Sequence, residues 1–229
     1  MTTEIKGISS MATGRLLAEL LEGFHQQSSI KVTLESVGGV DAAKRVQAGE
    51  AFDVVILASD AIDKLMAGGK LLPGSRVDLV RSGVAVAVRS GAAAPDISTE
   101  ALLRAAVLAA GSISYSTGPS GVALARLFET WGIAAQIQGR VRQAPPGVPV
   151  GALVARGEVE LGFQQFSELL HLPGIDVLGP LPAAIQIITT FSAAVCASSS
   201  QADAVRTMLS YMNSPEAAAA KRNQGMDPI

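Results

Sequence analysis

Cysteine is almost absent, with Cys196 alone in the apolar run FSAAVCA. One thiol can form neither an internal disulfide nor a cysteine zinc cluster, and this one is expected to be buried. Positive charge is not in excess, since 18 Lys and Arg face 20 Asp and Glu for a net charge of −2. Nucleic acid is therefore not an expected partner, because such binders gather a basic patch against phosphates. No uninterrupted apolar run approaches the roughly 18 residues of a spanning helix, so no membrane insertion is expected. The opening MTTEIKGISSM lacks a basic stretch, an apolar core and a small-residue cleavage site. As written it reads as a cytoplasmic chain; a leader replaced by Met would leave the same start on a periplasmic one.

Signatures of common chemistries are missing too. GxxxxGK[ST] and GxGxxG do not occur, which argues against nucleotide binding, and neither GxSxG nor HExxH is present. The two histidines, His25 before QQSS and His171 in SELLHLPG, have no motif around them and read as surface or capping residues. No cofactor and no metal site are expected.

What is present is alternation of strand and helix. Of the 229 residues 48% are hydrophobic, enough to bury one large core or two lobes of roughly 100 residues each. EIKGIS reads as a strand, and Leu16, Leu17, Leu20, Leu21 and Phe24 then recur at helical spacing across residues 13–27. IKVTLES, a turn and short helix over VGGVDAAKRVQAGE, the buried strand AFDVVILAS and the helix DAIDKLMAGG follow. A second series starts at the strand SGVAVAVRSG and the helix after Ser98 and Thr99, either of which could cap it. It continues through SISYS, a helix from Pro119, a strand at IQGRVRQA, a helix around VGALVARG, and the strands ELGFQQ and IDVLGPL. QIITTFSAAVCA and two helical segments close the chain without a lobe of their own. The expected class is α/β, with a mostly parallel sheet in each of two lobes, residues 1–80 plus 190–229 and residues 81–189. Two crossings of the chain, near 80–84 and 186–193, would frame a hinged cleft. No internal repeat is evident.

Ligands of open α/β sheets collect beyond the carboxyl ends of strands, where helix starts point free N–H groups outward. Four turns fit: ISSMATG at 8–14, SVGGVDA at 36–42, YSTGPSG at 115–121 and APPGVPVG at 144–151. Glycine permits close backbone approach, serine adds hydroxyl donors, and Pro119 suits a first helical position. Together they suggest a small anion held by neutral dipoles and hydroxyls. Singly, each turn is ordinary for helix initiation.

The ISSM turn, the Gly-rich turn before AAKRVQAGEAFDVVILAS, the GPSG helix start and VGALVARGEVELGFQQFSEL resemble the molybdate-binding proteins that serve ABC importers. The resemblance runs from Ile5 to Met226. It implies the class II periplasmic-binding-protein fold, two α/β lobes about an anion cleft. It also implies a site: the first-loop serine falls on Ser10, beside Ser9, and the second-loop serine on Gly39 and Val40, where no hydroxyl remains. The third-loop backbone donor falls on Ser120, between Ser116 and Gly121, and the fourth near Val148 to Val150, with Pro149 supplying no N–H. The closing tyrosine falls on Gln165, after Gln164. Two of the five positions thus differ in chemistry from a tetrahedral oxyanion site.

On a strand Gln164 and Gln165 point oppositely, so one of the two carboxamides would face the ligand. Such donors suit a small di- or tricarboxylate, with Arg81 and Arg142 as further candidates for a bidentate contact. Aconitate isomerase is similar to the same family, so the fold can host proton transfer on a tricarboxylate. Tyr115, Asp41 and Glu168 are the candidate bases, against packing for the tyrosine and helix-start placement for the two acids. A carboxylate-binding protein is the first expectation, an isomerase the second, and a molybdate-type receptor or a sensor with an unidentified protein partner the remaining ones.

Overall fold

Two apolar periodicities organise residues 3–145 and 147–229, which the computed structural model describes. Met1, Thr2 and Pro146 lie outside, and with them Pro146 of the expected 144–151 turn. The chain divides into one unit of Met1–Arg81 with Thr190–Ile229 and another of Ser82–Thr189.

In the first unit, β1 (Glu4–Ser10), α1 (Met11–Gln27), β2 (Lys31–Val37), α2 (Gly39–Gln47), β3 (Val54–Ala58) and α3 (Ser59–Ala67) alternate. Next comes β4 (Val77–Arg89), which passes into the second unit beyond Arg81. β1 pairs in parallel with β2, Ser9 opposite Ser36, and with β3, Ile8 opposite Val55. All five β3 residues are buried, as a strand covered on both faces requires. Val54, Ile56 and Ala58 meet Leu16, Leu20 and Phe24 of α1, while Val55 and Leu57 meet Val46, Ile62 and Leu65 of α2 and α3. Period two in the strand and period 3.6 in the helices thereby place the sheet between two helix layers.

The second unit carries α4 (Glu100–Ala109), β5 (Ile113–Tyr115), α5 (Pro119–Thr130), α6 (Ala134–Ile137), α7 (Val150–Ala155), β6 (Leu161–Gln165), α8 (Phe166–Leu169) and β7 (Ile175–Pro180). Then β8 (Ile188–Val195) returns to the first unit and runs antiparallel to β3, followed by α9 (Ala202–Met212), α10 (Ala217–Asn223) and the short β9 (Asp227–Pro228). The expected cap of α4 is Thr99, whose side chain accepts from Leu102 N–H.

The expected mostly parallel sheets require a correction: in the first unit β1 is parallel to β2 and β3, but β8 is antiparallel to β3 and β9 to β4, and the second unit is mixed as well. There only β5 and β6 are parallel, and β4 is antiparallel to both β6 and β7. The connection into β4 arrives from the other unit, so no helix crossover constrains its direction. Val84, Val86 and Phe163 face Leu103, Leu124 and Phe128 of α4 and α5, whereas Ala85 and Ala87 face Leu169 of α8. IQGRVRQA is not a strand either. It holds the end of α6, a tight turn over Gln138–Arg140 and a single bridge from Val141 to Ile113. Arg140 donates to the carbonyls of Leu108 and Ala110 at the end of α4, which holds the segment in a turn.

Candidate functional site

In the first unit the strand ends lead directly into helices. Ser10 closes β1 and caps α1, its Oγ accepting from Ala12 N–H at 3.3 Å while its carbonyl accepts from Thr13 Oγ1 at 2.9 Å. Ser9 is wholly buried, its Oγ 2.7 Å from Ser36 Oγ, so it braces β1 against β2 while the half-buried Ser10 stands at the rim. Gly39 opens α2 close by, where a Cβ would lie 3.6 Å from Ser10 Oγ. Val40 is 42% exposed, and Asp41 occupies the first turn of α2, where a carboxylate suits the helix dipole. Ser10, Gly39 and Val40 therefore adjoin one another.

The second unit gathers its turns around β5 and β6. Pro119 takes a first-turn position of α5 behind the cap Gly118, and Ser120 is buried. A Cβ on Gly121 would meet the Ser116 carbonyl oxygen at 1.8 Å, so the first turn of α5 lies flat on the Ser116 backbone. Ser116 O also accepts from Gln143 Nε2. The Tyr115 ring packs edge-on against Phe128, and its hydroxyl is pushed up by burial and then by Glu129. Further along, Val148 N–H donates to Pro145 O, so this expected ligand donor is already spent. Val150 is buried at the start of α7.

Gln164 and Gln165 are both buried but serve different faces. Gln164 sits opposite Ala85 and Gln165 opposite Val84. Gln164 Oε1 accepts from Gly151 N–H at 3.1 Å, and its Nε2 donates to Glu168 Oε1 at 2.8 Å. Gln164 is thus an internal strut, which corrects its reading as a ligand donor. Gln165 Nε2 donates to Thr189 Oγ1 at 2.7 Å, while Gln165 Oε1 is buried with no partner among the described residues. Whichever way the carboxamide is turned, Thr189 engages one of its two polar atoms and leaves the other.

Glu168, half-buried in α8, has its carboxyl pushed up to about 7 by burial, against the opposing pull of the Gln164 hydrogen bond. Of the three candidate bases, Asp41 belongs to the first unit and the other two to the second. Tyr115 pairs with Phe163 and lies on the α5 side of the strands, whereas Glu168 is tied to Gln164 on the α7 side. The structure does not bring Tyr115 and Glu168 to one face. Arg142 is exposed and donates to Glu158 O, and Arg81 is an exposed β4 residue opposite Asp227. His25 and His171 are exposed. Gly151 N–H and Thr189, which complete the polar framework, had no signal in the sequence beyond lying near strand and helix ends. Among the described residues no group of three or more His, Cys, Asp or Glu could hold a metal ion, and no helix is long and apolar enough to cross a membrane.

Strand ends opening into helix starts with hydroxyl, amide and carboxyl groups define a protein that binds small solutes. The chain belongs to the bacterial extracellular solute-binding protein family, whose model matches residues 5–227. It is 37% identical over 233 residues to an aconitate isomerase from Pseudomonas sp., covering 99% of this chain and 88% of that one. Its fold is similar to the periplasmic molybdate-binding protein of Azotobacter vinelandii, with TM-score 0.80, 20% identity and 97% and 98% of the two chains covered. A sulfate-binding protein of Mycobacterium tuberculosis is similar with TM-score 0.81, 16% identity and 99% and 87% coverage.

Proposed function

We propose that this protein binds a small unsaturated di- or tricarboxylate and shifts a proton along it, as an aconitate-type isomerase. The observation that carries this reading is Glu168, a carboxyl with a midpoint of about 7, oriented by Gln164 at the carboxyl end of β6. A base poised near the working pH is what abstraction of a weakly acidic C–H requires. The 37% identity to an aconitate isomerase, over 99% of this chain and 88% of that one, supports the same reaction class.

The chemistry balances without a co-reactant. Glu168 takes a proton from the methylene carbon beside a carboxylate and next to the C=C bond. The C–H electron pair forms a new C=C bond as the old one delocalises toward a carboxylate. The proton then returns to the former alkene carbon, moving the double bond and permitting the other geometry. Local N–H and hydroxyl donors stabilise charge on the carboxylates during the shift. Ser120 and Gly121 in the first turn of α5, with Ser116 before it, supply such donors in the second unit.

The test is incubation of the purified protein with cis- or trans-aconitate, following the ultraviolet absorbance of the mixture. Interconversion is expected, and Glu168→Gln should lower kcat by roughly 10²- to 10⁴-fold, the usual contribution of a general base. Binding without interconversion in the wild type would make this a carboxylate receptor, the second reading, which family membership favours.

A further inference from the structure

We propose that Gln164 is a positioning residue for this reaction: clamped by Gly151 N–H on one side, its carboxamide donates to Glu168 Oε1 and fixes the carboxyl in the orientation that exchanges the proton. The inference rests on the isomerase reading and deepens it.

The two glutamines of β6 do different work. Gln164 has its oxygen and one N–H engaged, at 3.1 Å and 2.8 Å, and is 3% exposed. The acceptor end is held by a backbone group that cannot swing away. A Cβ on Gly151 would sit 2.7 Å from Leu172 Cδ2 and 3.0 Å from Leu169 Cδ2, so the first turn of α7 is seated against the residue following Glu168. α7, β6 and α8 therefore form a closed frame: backbone of α7 to Gln164, Gln164 to Glu168, and α8 back onto α7. Polarised at its oxygen, the amide is a stronger donor at its nitrogen. A free carboxyl in the same place would have several rotamers, one of which is aligned with a bound C–H.

The charge environment leaves Gln164 as the group that favours the ionised form. Burial raises the Glu168 midpoint, the Gln164 hydrogen bond lowers it, and no charged side chain contributes. β6 and α7 contain no charged residue. β7 carries Asp176, which accepts from Ser90 Oγ and Gly91 N–H. β4 presents Ala85 and Ala87 to this side, and its Arg89 lies beside Gly157. His171, in the turn after α8, is exposed.

Gln164→Met keeps an unbranched side chain of similar length and removes both polar atoms. Two readouts are needed: the Glu168 carboxyl midpoint by 13C NMR, and the pH profile of kcat/KM with aconitate. Relative to wild type, both midpoints are expected to move to higher pH, with kcat lowered roughly 10- to 100-fold, the scale of a misaligned reacting group, and KM nearly unchanged. If Gln164→Met fails to fold, Gln164→Leu serves, since it also removes both polar atoms and adds no charge beside Glu168. An unmoved NMR midpoint overturns the proposal, and a moved one with an unmoved acid limb of the rate profile does so too, because Glu168 is then not the exchanging group. Absence of turnover in the wild type overturns the isomerase reading instead, and the NMR midpoint then separately reports whether Gln164 governs the carboxyl.

Discussion

Protonation of Glu168 is linked to folding as well as to chemistry. Its carboxyl rises from an ordinary 4.5 to about 7 in the folded chain because burial disfavours the charge. Between those values the folded state holds a proton that the unfolded state has released, so this contribution to stability is complete below the lower value and is lost as pH rises through the upper one. Activity moves the other way, since the base must be ionised to accept a proton. Urea midpoints measured from about pH 5 to about pH 8 should therefore fall for the wild type, and the decline should be smaller in Glu168→Gln, which cannot titrate. Identical slopes in the two proteins would mean that Glu168 titrates as an ordinary surface carboxyl. Cys196 shows burial acting on another group: its thiol is pushed up to about 12 by desolvation and then by Asp53, which makes it an inert core residue rather than a nucleophile.

At the scale of elements, the helix starts depend on backbone contacts that leave no room for side chains. Gly121 lies in the first turn of α5, and its Cβ would fall 1.8 Å from a carbonyl oxygen that belongs to the Ser116 backbone, not to a flexible side chain. Gly121→Ala must push α5 off the β5 turn, at a cost of about 1–3 kcal/mol, and it should weaken anion binding through the displaced Ser120 N–H. A chemical-denaturation midpoint and a ligand titration check both parts; an unchanged midpoint would refute the close packing. Much of this architecture was legible in the sequence. The stripe of Leu16, Leu17, Leu20, Leu21 and Phe24 and the continuous run VVILA carry their periods openly, and both lie where the spacing implied. The polar framework was less legible. Alternation along β6 told Gln164 from Gln165 but could not reveal that Gly151, on another element, occupies the first of them. Likewise nothing local in APPGVPVG shows Val148 spending its N–H on Pro145, or in IQGRVRQA shows Arg140 anchoring a turn to the end of α4. Those features are set by tertiary partners, which periodicity does not encode.

At the scale of the whole molecule, the fold leaves the ligand open, because structures with this architecture include a molybdate-binding and a sulfate-binding protein. Selection among anions must come from a few donors. A net charge of −2 offers a polyanion no long-range attraction, so affinity depends on short-range contacts with helix starts, hydroxyls and amides. A tetrahedral oxyanion is fully satisfied by a compact shell of donors. Here Gln165 offers a planar amide that Thr189 engages at one polar atom and leaves unused at the other. A carboxylate is planar as well, and a second carboxylate on the same molecule can use donors that a compact ion does not reach. A thermal-shift screen should then rank di- and tricarboxylates, both aconitate isomers included, above molybdate, tungstate, sulfate and phosphate. At 100 times its dissociation constant a ligand stabilises by about 2.7 kcal/mol, and at this chain length each kcal/mol moves Tm by about 2–4 °C. Gln165→Ala should reduce the carboxylate shift while leaving the ligand-free Tm within a few degrees. If only the tetrahedral ions raise Tm, the chain is an oxyanion receptor, and Glu168, however well held by Gln164, has no organic acid on which to act.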